Sequence, residues 1–175
     1  MLRRFRENGP ALLVPAAWIV VAGVTAGIVS EHALFVAHVV MSVLLAGFVV
    51  ASWNEMSSGV LRAWKLVILA GTPATVAGVF GFLARDGAVS LPAEPLLAVA
   101  LYAWILLPAV GFFYTARQVE ETSLAYDVGW VCSVAGAVGV TLAGVPIETV
   151  SALAVVGAGQ TMGIAAATLI DGRSA

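Results

Sequence analysis

Residues 31–53 read EHALFVAHVVMSVLLAGFVVASW, and residues 66–83 read LVILAGTPATVAGVFGFL. Between them lies the polar turn NEMSSGVLRAWK, residues 54–65. An α-helix rises about 1.5 Å per residue, so roughly 20 apolar residues cross a hydrocarbon core about 30 Å thick. The stretch is therefore a helical hairpin of two membrane spans, about 33–53 and 61–83. It also carries both histidines of the chain, His32 and His38.

The rest of the chain follows the same rule. Further apolar runs occupy about 11–30, 95–115, 127–145 and 149–170, which gives six spans in 175 residues. The composition is 61% hydrophobic and 10% charged, with a mean hydropathy of +1.03. So few polar side chains cannot enclose a core of this size in water, and the bilayer must act as the solvent. Unpaired backbone groups are too costly in lipid for anything but helices or a closed barrel. The runs are continuous and about twice as long as the roughly 10-residue alternating segments of a barrel. The expected fold class is thus all-α: a polytopic integral membrane protein, six transmembrane helices in one bundle forming a single transmembrane domain over 1–175. The basic start MLRRFRENGP precedes a run longer than a signal peptide's apolar region, so the first run is expected to remain as a span.

Orientation comes from the turns. With the N-terminus inside, the inner segments hold Arg3, Arg4, Arg6, Arg62, Lys65, Arg117 and Arg173, and the outer ones hold Arg85 alone. This asymmetry predicts a multi-pass protein with both termini cytoplasmic, and the bias to arginine, seven against one lysine, points to a prokaryotic cell membrane. Trp53, Trp64, Tyr114, Tyr126 and Trp130 gather at the inner boundary as an aromatic belt. No turn is long enough to fold as a soluble domain. There is no basic stripe for nucleic acid, so none is expected as a partner. Small residues recur four apart at Gly23/Gly27, Ala74/Gly78, Ala77/Gly81, Ala135/Gly139/Ala143 and Gly159/Gly163/Ala167. Such seams let helices approach closely. They are expected to pack the chain's own helices, with one, on the sixth helix, available to another membrane subunit. Pro73 and Pro108 are expected to kink the third and fourth helices.

The intramembrane polar inventory is short. From the outer boundary, His38 lies about 9 Å below His32 and Tyr102 about 10 Å below Pro95. Thr75, Thr141 and Trp104 fall near that level, and Gln160 and Met162 lie deeper. The motifs of soluble chemistry are missing: no P-loop, dinucleotide-binding glycine pattern, HExxH, CxxC or GxSxG occurs. Ser42 sits one turn after His38 with no carboxylate at that level, so no catalytic site is expected. Cys132 is the sole cysteine and lies in an apolar run, which suits an inert buried thiol. Asp127 is expected as the N-cap and dipole partner of the fifth helix.

The segment HALFVAHVVMSVLLAGF, followed by GTPATVAGVFGFL, resembles the small helical membrane proteins of the copper-resistance and b-type cytochrome kind. Those families pair a histidine near the start of a span with a helix rich in Gly and Thr. The resemblance covers residues 31–83 and implies a redox-linked setting. This chain departs from the pattern in lacking the tryptophan-glycine pair that often follows the histidine and a second ligand histidine.

Several functions remain open. The leading expectation is a non-catalytic accessory or structural subunit of a larger prokaryotic membrane complex, of respiratory or electron-transfer type. Its partners are then the lipid bilayer and other membrane subunits. The alternative is a redox protein holding haem b or a quinone through His38, with Tyr102 beside it; no metal site is expected otherwise. His32 and His38 are six residues apart, so they diverge by about 120° on one helix and cannot grip one iron. Met162 is the remaining candidate for a second axial ligand, at a mismatched depth. A small transporter is the third reading, opposed by the lack of a deeply placed carboxylate.

Overall fold

The computed structural model describes residues 2–119 and 123–173, and the side chains of 12–119 and 123–167. It is all-helical, with six helices and no strand among the described residues. They are α1 (Leu2–Thr25), α2 (Glu31–Ala51), α3 (Gly59–Arg85), α4 (Ala93–Ala116), α5 (Ser123–Leu142) and α6 (Pro146–Arg173). Five of them, α2 to α6, are long and apolar enough to cross a membrane. The described apolar part of α1 is Leu12–Thr25. The inner cations Arg3, Arg4, Arg6 and Arg173 lie outside the described side chains.

Helix ends shift from the expected bounds for local reasons. The run at 11–30 does not stay helical to its end, because Gly27 adopts φ 74°. Gly27 N–H donates to Val24 O at 3.0 Å and Ile28 N–H to Gly23 O at 2.9 Å. This pair of bonds is a Schellman stop, and it needs a residue that tolerates the left-handed conformation. Gly87, at φ 74°, closes α3 in the same way, with Ala88 N–H donating to Leu83 O at 2.8 Å. Ser30, the last residue of the expected first run, instead caps α2 by accepting from Ala33 N–H at 3.2 Å, so Glu31 and His32 are helical. Pro146 opens α6, where a missing N–H costs nothing, and Glu148 accepts from Gly144 N–H at 2.7 Å. The fifth helix begins at Ser123, not at 127. Asp127 is therefore not its N-cap; it lies one turn inside and accepts from Trp130 Nε1–H at 2.9 Å.

The contacts divide into two compact units. The first contains residues 1–29 and 112–175, and the second residues 30–111, so α4 contributes to both. In the first unit, α6 packs against α5 and α1. Small residues make this possible. A Cβ on Gly136 would collide with Val156, and one on Gly159 with Cys132. One on Gly163 would stand 2.9 Å from Phe112 Cδ1, and Phe112 is fully buried. Gly159 and Gly163 of the α6 seam are thus met by the chain's own side chains, whereas Ala167 is exposed. Phe112 stacks on Tyr126 with ring centroids 6.2 Å apart.

In the second unit, α2 packs against α3. No residue of α2 is buried, whereas α3 buries Val67, Gly71, Ala74, Thr75, Gly78, Gly81 and Phe82. The α3 seam accepts Trp104 at Gly71, His38 at Gly78 and Leu97 at Gly81. At the end of α3, Arg85 reaches Glu31 at 3.0 Å and Glu94 at 2.8 Å. One guanidinium thereby ties the starts of α2 and α4 to the end of α3. These groups are largely exposed, so each pair contributes only about 0.2–1 kcal/mol.

Candidate functional site

His38 and Tyr102 both belong to the second unit, but they have different surroundings. His38 is half-buried on α2. Its Nδ1 lies 2.9 Å from Leu34 O, one turn back. A carbonyl oxygen only accepts, so Nδ1 carries a proton, and in its neutral form the ring has its lone pair at Nε2. The Cδ2–Nε2 edge rests on α3 at Gly78. A Cβ there would collide with Cδ2, stand 2.8 Å from Nε2 and lie 3.1 Å from Ala100 Cβ. Phe82 meets the ring edge-on, with centroids 5.4 Å apart. The imidazole is thus a knob in a notch made by a missing side chain.

Tyr102 instead lines an open, almost wholly apolar cavity of about 530 Å³, together with Ala70, Pro73, Ala74, Val99 and Leu106. Ser42 does not meet the imidazole; its hydroxyl donates to His38 O at 2.8 Å, a bond within α2. His32 is exposed and faces Phe35 at 6.1 Å.

The expected polar layer forms in part. Trp104 Nε1–H donates to Thr75 Oγ1 at 2.8 Å, and Thr75 Oγ1–H donates to Gly71 O at 2.9 Å. This chain of bonds joins α4 to α3 over the flat seat that Gly71 provides for the indole. Thr141 belongs to the first unit and bonds back to Ala137 O at 2.8 Å.

The deepest polar cluster is in the first unit. Trp18 Nε1–H donates to Gln160 Oε1 at 3.0 Å. Gln160 Nε2–H donates to Ser133 Oγ at 3.3 Å, and Ser133 Oγ–H to Gly129 O at 2.8 Å. Gln160 is 2% exposed and Ser133 is fully buried. Three helices, α1, α5 and α6, are cross-linked by this one relay. Sequence reading placed Gln160 at depth but did not single out Trp18. The available signal was Gly157, three residues before Gln160, which gives a large indole room to lie on α6.

Haem fits His38 poorly in this packing. A macrocycle needs a flat open slab about its ligand nitrogen, and here Nε2 is so close to α3 that a Cβ on Gly78 would stand 2.8 Å from it. Met162, the remaining candidate for a second ligand, is 46% exposed. A hydroxyl donor needs far less room at Nε2. Among the described residues, no group of three His, Cys, Asp or Glu side chains converges on a metal-sized space. No family model matches the chain, and neither a curated protein nor a solved structure matches it.

Proposed function

We propose that the chain is a non-catalytic accessory subunit of a larger prokaryotic membrane assembly, of respiratory or electron-transfer type. One observation carries this reading: several polar side chains within the spans hydrogen-bond from one helix to another. Trp18, Gln160 and Ser133 do so in one unit, and Trp104 and Thr75 in the other. Meanwhile α2 leaves Val36, Val40, Val43 and Leu44 exposed, and nothing stands within 4 Å of a Cβ built on Gly47. A face of that kind suits lipid or the helix of another subunit, and a small residue within it permits close approach. The redox setting rests on the resemblance of residues 31–83 to copper-resistance and b-type cytochrome proteins.

In this reading the chain forms one transmembrane domain with both termini on the cytoplasmic side of the cell membrane, as the distribution of cations favours. Purification in mild detergent followed by native electrophoresis tests the assignment. The expected species is well above the 17.9 kDa protomer and carries other membrane proteins with it. A monodisperse lone protomer would overturn the proposal.

The lone pair at His38 Nε2 favours a second reading, in which His38 accepts a hydrogen bond from a quinol hydroxyl, an apolar ring with one polar handle. Titration with a quinone analogue tests it: His38→Ala is expected to weaken binding about tenfold, near the loss of one good hydrogen bond. Equal binding by the variant removes this reading.

A further inference from the structure

At the junction of α4 and α5, two opposite charges flank an aromatic pair. Arg117, just past the end of α4, lies over the face of Phe113 with Cζ 4.8 Å from the ring centroid. Phe113 meets Trp130 edge-on, with centroids 5.6 Å apart and planes at 89°. Trp130 Nε1–H in turn donates to Asp127 Oδ1 at 2.9 Å. All four residues belong to the first unit. Among the described residues, the Arg117 guanidinium has no carboxylate partner, and Asp127 Oδ2 has no hydrogen-bond donor. Arg117 and Phe113 are exposed, while Asp127 and Trp130 are half-buried.

Each contact taken alone is ordinary. An arginine lays its stem along an aromatic ring, and a carboxylate accepts from an indole on its own helix. Together they set opposite charges on the two sides of one aromatic pair. The indole N–H takes one carboxylate oxygen and leaves the other as an acceptor.

We propose that this surface binds the headgroup of an aminophospholipid, a phosphate and a primary ammonium two carbons apart. Charge complementarity selects that occupant. Arg117 takes the phosphate with charge-assisted hydrogen bonds. The ammonium crosses the aromatic pair, where a cation is attracted to ring faces, and donates to Asp127 Oδ2. The acyl chains then run down the apolar exposed flank of α5, at Val131, Val134 and Val138. A purely anionic headgroup satisfies Arg117 but sets a negative charge near Asp127. A choline headgroup lacks the N–H that the carboxylate needs. The surface therefore ranks primary amine above choline and above glycerol headgroups.

The test uses the full chain reconstituted in vesicles of equal parts phosphatidylethanolamine, phosphatidylcholine and phosphatidylglycerol. It is extracted in mild detergent, and the retained lipids are counted by native mass spectrometry. The wild type is expected to enrich phosphatidylethanolamine roughly two- to fivefold over either competitor, the range of one partly exposed ion pair. Asp127→Asn is expected to abolish the preference over phosphatidylcholine, and Arg117→Gln to lower retention of all three lipids. Trp130→Phe keeps a ring but frees the carboxylate, and is expected to weaken the preference; it serves in place of Asp127→Asn should that variant not accumulate. Retention in bulk proportions, a wild-type preference for phosphatidylglycerol, or an undiminished preference in the Asp127 or Trp130 variant overturns the proposal.

Discussion

Replacing Trp18 with alanine is expected to cost about 2–4 kcal/mol of folding free energy, measured by denaturant titration in mixed micelles. Two losses combine. The indole is 92% removed from its surroundings' solvent, being 8% exposed, and it lies on Gly157, where a Cβ would stand 2.9 Å from Trp18 Cβ. Removing a buried tryptophan from a soluble core costs about 3–5 kcal/mol, and lipid refilling reduces that figure at the rim of a membrane protein. The second loss is the donor to Gln160 Oε1, a hydrogen bond of a kind that averages about 0.6 kcal/mol in bilayers and reaches about 1.7. Trp18→Phe separates the two: it keeps a ring on Gly157 and is expected to lose only about 1 kcal/mol, near the upper half of that range. Gln160→Leu removes the acceptor and also the donor to Ser133, and is expected to fall between them. An unchanged midpoint for Trp18→Ala would show that α1 is not anchored to α6 through this residue.

That relay also shows what sequence could and could not convey. The helical class, the spans and the hairpin turns are written in run length and hydropathy, because the bilayer thickness sets a length that one-dimensional patterns reveal. Helix ends were legible only to within a few residues. A Schellman stop at Gly27 or a serine cap at Ser30 is decided by individual backbone angles, and an apolar residue such as Ile28 can lie beyond the helix without altering the hydropathy. The partners of the polar groups were least legible. Depth counting put His38, Tyr102, Thr75 and Trp104 at one level, and depth is only one of the two coordinates on a helix. The azimuth sent Trp104 to Thr75, His38 to the Gly78 notch and Tyr102 to the cavity beside Pro73. Arg85 entered only as a count against the positive-inside rule. Its role as the tie between Glu31 and Glu94 depends on three helix ends meeting, which no local pattern encodes.

The azimuth of His38 has the second large consequence. Gly78→Ala places a methyl against Cδ2 of His38, 2.8 Å from Nε2 and 3.1 Å from Ala100 Cβ. Overpacking of this kind typically costs about 1–3 kcal/mol, and Gly78→Val, with two further methyls, is expected to exceed that and separate α2 from α3. His38→Ala alone removes the ring that meets Phe82 edge-on and leaves the notch empty, a loss of about 1–2 kcal/mol in which the aromatic pair accounts for roughly half to one. The double variant is the informative one. With the imidazole gone, the new methyl enters space the ring vacated, so Gly78→Ala is expected to cost less than about 1 kcal/mol in the His38→Ala background, a coupling of about 1–2 kcal/mol. The rescue is incomplete because the contact with Ala100 remains. Strict additivity, within about 0.5 kcal/mol, would mean that the imidazole does not sit on Gly78. A coupled pair makes the histidine a packing element first. Any quinol it serves must then reach Nε2 beside the helix contact, and its binding must weaken in Gly78→Ala even though the histidine itself is unchanged.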